Sequence, residues 1–410
     1  MKYVILLGDG MADYPLDDLG GKTPLEYAHT PFMDTIASRG TIGLIDTIPA
    51  GYTPGSDVAN LSVLGYDPTI YFTGRGPLEA ASMHVKLGSN DVAFRCNLVT
   101  LGHGDDAPVM EDFSAGHITS DEAGKIIADL NMQLGSDSIR FYPGVGYRHL
   151  MVWKGGSAVV TTTPPHDIVG QKTGDYLPAG FGADEVIQLM HDSEALLQNH
   201  PVNLTRRSAG KKPATSIWLW GQGGAPDMDH LTKKYNLEGG MISAVDLLNG
   251  IGVYAGLDIL PVQGATGYTD TNYEGKATKA LEYLDRGDFV FVHVEAPDEM
   301  GHEGNIEGKI KALEDFDRKI VGPILEGLQK FKDFRLLVLS DHPTPISIRT
   351  HVSDPSPFAV YSSRPAENRR SGLPYSETAA RQTGLLVSPG HLLMNHFITE
   401  WGTFIDEKRD

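Results

Sequence analysis

Carboxylate, imidazole and hydroxyl side chains occur in this sequence where hydrophobic runs break into loops that contain Gly or Pro. Carboxylates and imidazoles are ligands for divalent metals, and a hydroxyl beside metal ions can become a nucleophile. Such a set predicts a two-metal site for phosphoryl transfer. Mixed N and O ligands suit Mn²⁺, Zn²⁺, Co²⁺ or Mg²⁺, and the carboxylate share favours Mn²⁺. The candidate residues are Asp9, Ser56, Asp298, His302, Asp341, His342 and His351.

One pair and one loop have spacings that suit this chemistry. Asp298 and His302 are four residues apart, so a helical turn would place both on one side to hold one metal. Ser56 follows Pro54-Gly55 and is predicted to cap a helix that runs to Leu64. The free N–H groups at a helix N-terminus suit a phosphate. Taken singly, each residue also fits an ordinary turn, cap or surface position, so the combination carries the prediction.

The elements that must position these residues are predicted from hydrophobic runs. Short apolar runs predict buried strands, and amphipathic stretches between them predict helices. This alternation indicates an α/β doubly wound sheet, in which ligands bind at the carboxyl ends of the strands. Asp9, Asp298 and Asp341 each follow a predicted strand. The predicted strands are 3–7, 289–294, 335–339 and 357–361, and the predicted helices are 25–38, 276–284 and 306–331.

The middle of the chain has a different pattern. None of the candidate metal and nucleophile residues lies between 78 and 203, yet this segment has strand-like pieces and a helical stretch of its own. We therefore expect a core formed by 1–77 and 204–410, with an inserted second α/β domain at 78–203. The predicted pieces of the insertion are strands at 93–101, 149–153 and 157–161, and a helix at 183–199.

Composition narrows the class of protein. The 410 residues carry a formal net charge of −19, which argues against a nucleic-acid or anionic-membrane partner. Cys96 is the single cysteine, so an intrachain disulfide is excluded, and a buried core position is expected for it. The N-terminal apolar run is too short for a signal peptide, and no apolar stretch approaches the length of a membrane span. We expect a cytoplasmic protein.

The sequence contains several longer motifs, namely LLGDGMAD, YTPGSDVANLSVLGYDP, TGRGPLEAAS, AFRCNLVT, TTPPHDIVGQ, GATGYTDTNYEGK, APDEMGHEG and SDHPTPISIRTHVSDPSPF. These motifs resemble those of the archaeal-type cofactor-independent phosphoglycerate mutases, which belong to the alkaline phosphatase superfamily. The resemblance runs from the first residues to beyond Phe358. It implies a metal-binding core with an inserted substrate-capping domain, and no requirement for 2,3-bisphosphoglycerate.

The resemblance also assigns roles to individual residues. It implies that Ser56 is the phosphoryl-accepting nucleophile and that each of two metals has its own ligands. One metal would be held by Asp9, Ser56, Asp341 and His342, and the other by Asp298, His302 and His351.

Substrate-side residues follow from the same resemblance. His117 would transfer a proton or contact phosphate, and Lys276 would reach the phosphate or the leaving oxygen. Asn203 and Arg206 would form a clamp for the substrate at the hinge. Arginine suits a phosphoglycerate because its planar fork pairs with carboxylate and phosphate. The remaining pocket residues would be Arg148, His166 and Asp167, the basic clamp Asn203 and Arg206, and the further candidates Arg75, Arg95 and Arg207.

The expected activity is the interconversion of 3-phosphoglycerate and 2-phosphoglycerate through a phosphoserine. Closure of the inserted domain, with hinges near Leu78 and Asn203, would keep water from that phosphoserine. Alternatives are a homoserine kinase-like phosphotransferase, a branch that Trp218-Leu-Trp220-Gly-Gln-Gly resembles, and a metal-dependent phosphomonoesterase. A metal-stabilised binding protein without catalysis is a third alternative, opposed by the intact nucleophile and ligand set.

Overall fold

The computed structural model describes residues 1–104 and 107–407 and divides the chain into two compact units. The large unit comprises Met1–Phe72 together with the chain from Asp227 onward, and the small unit is Thr73–Pro226. The small unit is therefore longer at both ends than the predicted insertion at 78–203. The reason is packing, because the helix at Arg75–Ser82 packs on the sheet of the small unit and the strand at Ser216–Gly224 belongs to that sheet.

The strands, numbered in chain order, alternate with helices in the large unit and cluster in the small unit. They are β1 Lys2–Gly8, β2 Thr41–Ile45, β3 Asp91–His103, β4 Pro108–Asp112, β5 Ile139–Tyr142, β6 Arg148–Lys154, β7 Ser216–Gly224, β8 Gly239–Ile242, β9 Asp258–Ile259, β10 Phe289–Val294, β11 Phe334–Leu339, β12 Ser356–Ser362 and β13 Leu386–Val387.

The α-helices are numbered in the same way. They are α1 Pro24–Tyr27, α2 Pro31–Arg39, α3 Ser56–Val63, α4 Pro68–Tyr71, α5 Arg75–Ser82, α6 Ser120–Gln133, α7 Ala183–Leu197, α8 Pro201–Ser208, α9 Leu231–Tyr235, α10 Asp246–Tyr254, α11 Tyr273–Leu284, α12 Ala296–Glu303, α13 Ile306–Phe316, α14 Gly322–Gly327, α15 Glu377–Gln382, α16 Leu392–Asn395 and α17 Trp401–Glu407.

The large unit is built on an eight-stranded sheet in the order β13-β2-β12-β11-β1-β10-β8-β9. Its centre is parallel, with β1 between β10 and β11, whereas β12 runs antiparallel to both of its neighbours. Residues of β10 and β11 are buried throughout, which explains their continuous apolar sequences. The predicted α/β class is confirmed.

Strand register brings the chemistry-bearing loops to one edge of this sheet. Gly8 at the end of β1 pairs with Val294 at the end of β10, and Leu7 pairs with Leu339 at the end of β11. The three strands therefore end level with one another. The residues that follow them lie side by side, as expected at the carboxyl edge of a parallel sheet.

The small unit has an antiparallel sheet of its own, centred on β3. Strand β3 pairs with β4, β6 and β7, and β5 pairs with β6. The core beneath it includes Phe94, Trp218 and the buried thiol of Cys96, with apolar residues of α6 and α7. Helices pack on this sheet, so the small unit is also α/β.

Three predicted elements differ from the structure. The helix expected at 25–38 is interrupted, because Pro31 has no amide hydrogen to continue it and begins α2 instead. The helix expected at 306–331 contains a π-helical turn at Asp317–Val321. The strand expected at 157–161 is wrong, since that segment has only an isolated bridge between Thr161 and Ala179.

Within the part of the chain that the structure describes, no helix combines the length and apolar character that crossing a bilayer requires.

Candidate two-metal site

Asp9, Asp341, His342 and Ser56 meet at the carboxyl edge of the large unit. Asp9 directly follows β1, and Asp341 and His342 lie just beyond β11. The Nε2 atom of His342 lies 3.5 Å from Asp9 Oδ1, 3.5 Å from Asp341 Oδ2 and 3.2 Å from Ser56 Oγ. Asp9, Asp341 and His342 are fully buried. These carboxylate, imidazole and hydroxyl atoms are close enough to hold one cation together.

Helix α3 delivers the serine to this group. Ser56 is the first helical residue and Gly55 is the N-cap, so the prediction that Ser56 caps the helix is wrong. Its hydroxyl points to His342 instead of bonding to its own helix. One turn later, Asn60 Nδ2 lies 2.9 Å from the Ser56 carbonyl oxygen and 2.9 Å from Asp341 Oδ2. Asn60 thereby ties the serine helix to a candidate ligand.

Asp298, His302 and His351 form a second group. Asp298 and His302 lie four residues apart on α12, and His302 Nε2 is 3.2 Å from Asp298 Oδ2. His351 Nε2 is 3.4 Å from Asp298 Oδ1 and 2.9 Å from His302 Nε2. His302 Nδ1 donates to the carbonyl oxygen of Arg349 at 3.1 Å, which leaves its Nε2 as the ligand atom. Two imidazole nitrogens that face each other beside a carboxylate suit a divalent cation.

The two groups adjoin one another. Asp298, His342 and His351 offer ligand atoms within 4.8 Å of one another, as do Asp9, Asp341 and His342. The rings of His342 and His351 have centroids 4.2 Å apart. His342 therefore lies at the junction of the two groups, as expected if two cations share one reaction centre.

Burial and charge also favour cations here. Asp9 Oδ1 is buried and has no hydrogen-bond partner among the described residues. Burial, followed by the charges of Asp341 and Asp298, raises the pKa of Asp9 well above its ordinary value. Buried carboxylates are costly unless a positive charge compensates them. The donor set therefore fits divalent metal ions.

The second group shows how strongly its members interact. Burial raises the pKa of Asp298, but hydrogen bonds from His302 and His351 outweigh it and hold that pKa well below its ordinary value. Burial lowers the pKa of His302, whereas Asp298 raises it to about 9. Burial lowers the pKa of His342, which favours the neutral imidazole that a metal requires.

The small unit holds a separate basic cluster around Trp220. The guanidinium of Arg95 lies 4.4 Å from the Trp220 ring centroid, that of Arg75 lies 5.7 Å away, and the His166 ring centroid is at 5.3 Å. Burial lowers the pKa of Arg95 to about 10, with further lowering by the charges of Arg75 and Arg148. The structure thus brings together the predicted Arg148 and His166 with the further candidates Arg75 and Arg95.

Asp167 and His117 are exposed in the small unit. Asp167 Oδ1 lies 3.6 Å from His166 Nε2, at the margin of the basic cluster. His117 follows a turn and has a positive φ of 49°, which is uncommon for a residue other than glycine. Arg207 is also exposed, and its Nη1 donates to the Gln198 carbonyl oxygen at 2.6 Å.

Asn203 and Arg206 do not present free groups to a substrate. Asn203 is buried, and its amide bonds to the carbonyl oxygens of Leu197 and Ala214 at 2.8 and 2.6 Å. Arg206 is 2% exposed and donates to the Lys212 carbonyl oxygen and to Glu122. It also donates to the carbonyl oxygen of Ala115 at 2.7 Å. The pair expected as a basic clamp instead braces the interior of the small unit, including the turn before His117.

Sequence comparisons place the chain among known proteins. A family model described as 2,3-bisphosphoglycerate-independent phosphoglycerate mutase matches residues 37–203, and one described as type I phosphodiesterase / nucleotide pyrophosphatase matches residues 160–346. A probable 2,3-bisphosphoglycerate-independent phosphoglycerate mutase of Geobacter sulfurreducens is 56% identical over 395 residues, 96% of this chain and 98% of that protein. The chain belongs to the 2,3-bisphosphoglycerate-independent phosphoglycerate mutase family.

Further comparisons agree with this family. The 2,3-bisphosphoglycerate-independent phosphoglycerate mutase of Methanosarcina barkeri is 59% identical over 88% of this chain and 90% of its own length. The structure of the PH0037 protein from Pyrococcus horikoshii has a TM-score of 0.81 at 28% identity, covering 98% of this chain and 97% of that one. The cofactor-independent phosphoglycerate mutase of Thermoplasma acidophilum has a TM-score of 0.66 at 25% identity, covering 98% and 100%.

In this member of the mutase family, the structure adds residues that sequence reasoning missed. His293, inside β10, places Nε2 2.8 Å from Asp9 Oδ2 and Nδ1 3.2 Å from Ser243 Oγ. Burial, with a contribution from Lys276, lowers the pKa of His293 to about 3, so the imidazole is neutral. The sequence signal for this role was a histidine within the otherwise apolar run FVFVHV. His293 therefore contacts Oδ2 of Asp9, whereas His342 lies nearer Oδ1.

Lys276 lies below this contact rather than in the open. It is fully buried on α11, and its Nζ donates to the His293 carbonyl oxygen at 2.9 Å. Burial lowers its pKa to about 8. The side chain therefore supports β10 at His293, next to the candidate ligand Asp9. The family resemblance implied that Lys276 would reach a phosphate, but the side chain has no exposed surface with which to do so.

Proposed function

We propose that this mutase-family chain interconverts 3-phosphoglycerate and 2-phosphoglycerate through a phosphoserine formed on Ser56. The observation that supports this proposal most directly is that Ser56 Oγ lies 3.2 Å from His342 Nε2, next to the buried carboxylates of Asp9 and Asp341. A serine so placed can accept a phosphoryl group in line.

Asp9, Ser56, Asp341 and His342 are the proposed ligands of one cation, and Asp298, His302 and His351 those of the other. Mn²⁺ is the proposed metal because carboxylates form a large part of the set. When bound, such ions neutralise charge on the transferred phosphoryl group and lower the pKa of a nearby hydroxyl. The orphaned Oδ1 of Asp9 supports this assignment.

The proposed reaction has two balanced halves. Ser56 Oγ attacks phosphorus, the bond from phosphorus to the substrate O3 breaks, and the proton lost by Ser56 is matched by one gained at O3. The O2 hydroxyl of the same glycerate then attacks the phosphoserine, the Oγ–P bond breaks, and a proton returns to Ser56. His117 and Asp167, both exposed in the small unit, are the proposed proton carriers.

The basic cluster of the small unit is the proposed site for the anionic substrate groups. Arg75 and Arg148 supply planar donors that suit a carboxylate or a phosphate, whereas the buried Arg95, paired with Glu79 at 2.9 Å, lies over the Trp220 ring and supports the cluster. We therefore replace the predicted clamp of Asn203 and Arg206 with this cluster. A capping role for the small unit stays a prediction, as does a cytoplasmic location.

An assay with two substrates tests the proposal. The protein is incubated with Mn²⁺ and 3-phosphoglycerate, without 2,3-bisphosphoglycerate, and coupled to enolase, while homoserine and ATP are supplied in parallel. Formation of 2-phosphoglycerate is expected. Phosphorylation of homoserine without a mutase signal would establish the kinase-like alternative, and release of free phosphate alone would establish a phosphomonoesterase.

A further inference from the structure

Thr344 touches a candidate ligand from each metal group. It lies in the loop after β11 and is fully buried. Its Oγ1 is 2.5 Å from Asp298 Oδ1, in the second group, and 3.3 Å from Nδ1 of His342, in the first. A single hydroxyl therefore contacts both groups.

The chemistry of the partners sets the direction of both hydrogen bonds. The Asp298 carboxylate can only accept, so the Thr344 hydroxyl donates its proton to Asp298. The hydroxyl oxygen then accepts the Nδ1–H of His342. That tautomer leaves the lone pair of His342 on Nε2, the atom that faces Ser56, Asp9 and Asp341. A hydrogen bond to the other ring nitrogen is the usual way in which a metal-ligating histidine is oriented.

The surrounding backbone holds Thr344 in place. Its N–H donates to the Ala12 carbonyl oxygen at 3.2 Å. Its own carbonyl oxygen accepts from Lys309 Nζ at 2.9 Å, and the same ammonium pairs with Asp13 Oδ2 at 2.7 Å. Lys309 and Asp13 are both buried, so solvent does not compete with these bonds.

Two glycines make the close approach to Thr344 feasible. A Cβ on Gly10 would lie 2.6 Å from Thr344 Oγ1 and 2.5 Å from Asp298 Oδ1, and Gly10 also has a φ of +58°. A Cβ on Gly301 would lie 2.5 Å from the Thr344 carbonyl oxygen. Any larger residue at either position would push the threonine away from the ligands.

We propose that Thr344 is a positioning residue that orients one ligand of each cation site, so that its hydroxyl supports both sites at once. The inference rests on the proposed cation sites and does not depend on the phosphoryl acceptor. In this role Thr344 is not itself a metal ligand and does not contact substrate, and it acts through Asp298 and His342.

Metal titration without substrate tests this role. Metal-free protein is titrated with Mn²⁺ and free Mn²⁺ is followed by electron paramagnetic resonance, for wild type, Thr344→Val and Thr344→Ser. Each substitution is also made with Asp341→Ala, which leaves the second group intact, and with His302→Ala, which leaves the first. Thr173→Val is the control, because it removes a buried hydroxyl of the small unit that donates to the Pro108 carbonyl oxygen.

Loss of the hydroxyl is expected to weaken Mn²⁺ binding about 10- to 100-fold in both backgrounds, as is typical when an outer-shell partner of a ligand is removed. Thr344→Ser keeps the hydroxyl and is expected to bind within about threefold of wild type, as is Thr173→Val. Wild-type affinity in Thr344→Val, or weakening in only one background, would overturn the inference. If Thr344→Val does not fold, Thr344→Ala is used with the same criteria.

Failure of the proposed metal sites is a separate outcome. Wild-type protein that takes up no Mn²⁺ would overturn the cation sites themselves, and with them the basis of this inference. Wild-type protein that binds two ions, with Thr344→Val unaffected, would overturn only the role of Thr344.

Discussion

The candidate two-metal site of the large unit and the basic cluster of the small unit are organised in different ways. At the candidate two-metal site, the proposed ligands Asp9, Asp298 and Asp341 come after the level ends of parallel strands, so backbone register determines where they lie. In the small unit, Arg75, Arg95 and His166 come from separate segments and meet on the faces and edges of Trp220. Strand ends can be recognised in a sequence, whereas side-chain layering around a ring cannot. The candidate ligands at the strand ends could therefore be proposed from the sequence, whereas the cluster around Trp220 could not.

The largest effect is expected at Ser56, the proposed nucleophile. Ser56→Ala should lower turnover on the order of 10⁴-fold or more, because it removes the proposed phosphoryl acceptor. Metal content should change little, since the carboxylates and imidazoles persist. Coupled assay and elemental analysis of the same sample measure the two quantities. Retained turnover would contradict the phosphoserine route.

Removing a ligand of the second group is expected to have the next largest effect. His302→Ala should lower Mn²⁺ stoichiometry from two to one and turnover roughly a hundredfold to a thousandfold, because a bound cation stabilises phosphoryl transfer by several kcal/mol. His191→Ala, an exposed histidine paired with Glu194 on α7, is the matched control. Unchanged stoichiometry in His302→Ala would exclude His302 as a ligand.

Within the small unit, an arginine proposed to bind substrate and the buried Arg206 are expected to respond differently to the same substitution. Arg148→Met, at an exposed arginine, should lower kcat/KM about 10- to 100-fold, mainly through KM, because its guanidinium is a proposed partner of the anionic substrate. Arg206→Met should leave KM near wild type but lower the free energy of unfolding by about 3 kcal/mol, because it breaks an internal brace. The reverse pattern would restore the predicted clamp.

The smallest effects are expected from pH. One buried group in each unit should change its contribution to the free energy of unfolding in the opposite direction as pH rises. Burial raises the pKa of Asp317 in the large unit to about 6 and lowers that of His149 in the small unit to about 4. The folded state therefore holds the Asp317 proton more tightly than the unfolded state, and its contribution to stability falls as pH rises from about 4 to 6. For His149 the unfolded state binds the proton more tightly, so stability falls as pH drops from about 6.5 to 4.

Variants isolate these two contributions. Asp317→Asn and His149→Asn remove one titrating group each, and each difference from wild type should reach about 2–3 kcal/mol across its window. Urea denaturation at several pH values provides the measurement. Differences of the same sign for both variants would contradict the assignment.

Much of the large unit could be predicted because its signals are local. The apolar runs before Asp9 and Asp341 predicted buried strands, and the spacing of Asp298 and His302 predicted one face of a helical turn. The break at Pro31 was missed although the proline itself is a local signal for it, and the π-helical turn at Asp317–Val321 was also missed. The supporting contacts of His293 and Thr344 join residues far apart in the chain, and no local pattern marks such partners.

By itself, the amino-acid sequence determined the α/β class, the strand ends that carry carboxylates and imidazoles, and the family to which the chain belongs. These properties follow from periodicity, spacing and long motifs, which are written along the chain. Only the tertiary structure decided that Asn203, Arg206 and Lys276 are buried supports and that Arg75 and Arg95 surround Trp220. Burial decides whether a polar side chain is free to bind a ligand, and burial depends on neighbours that come from distant parts of the chain.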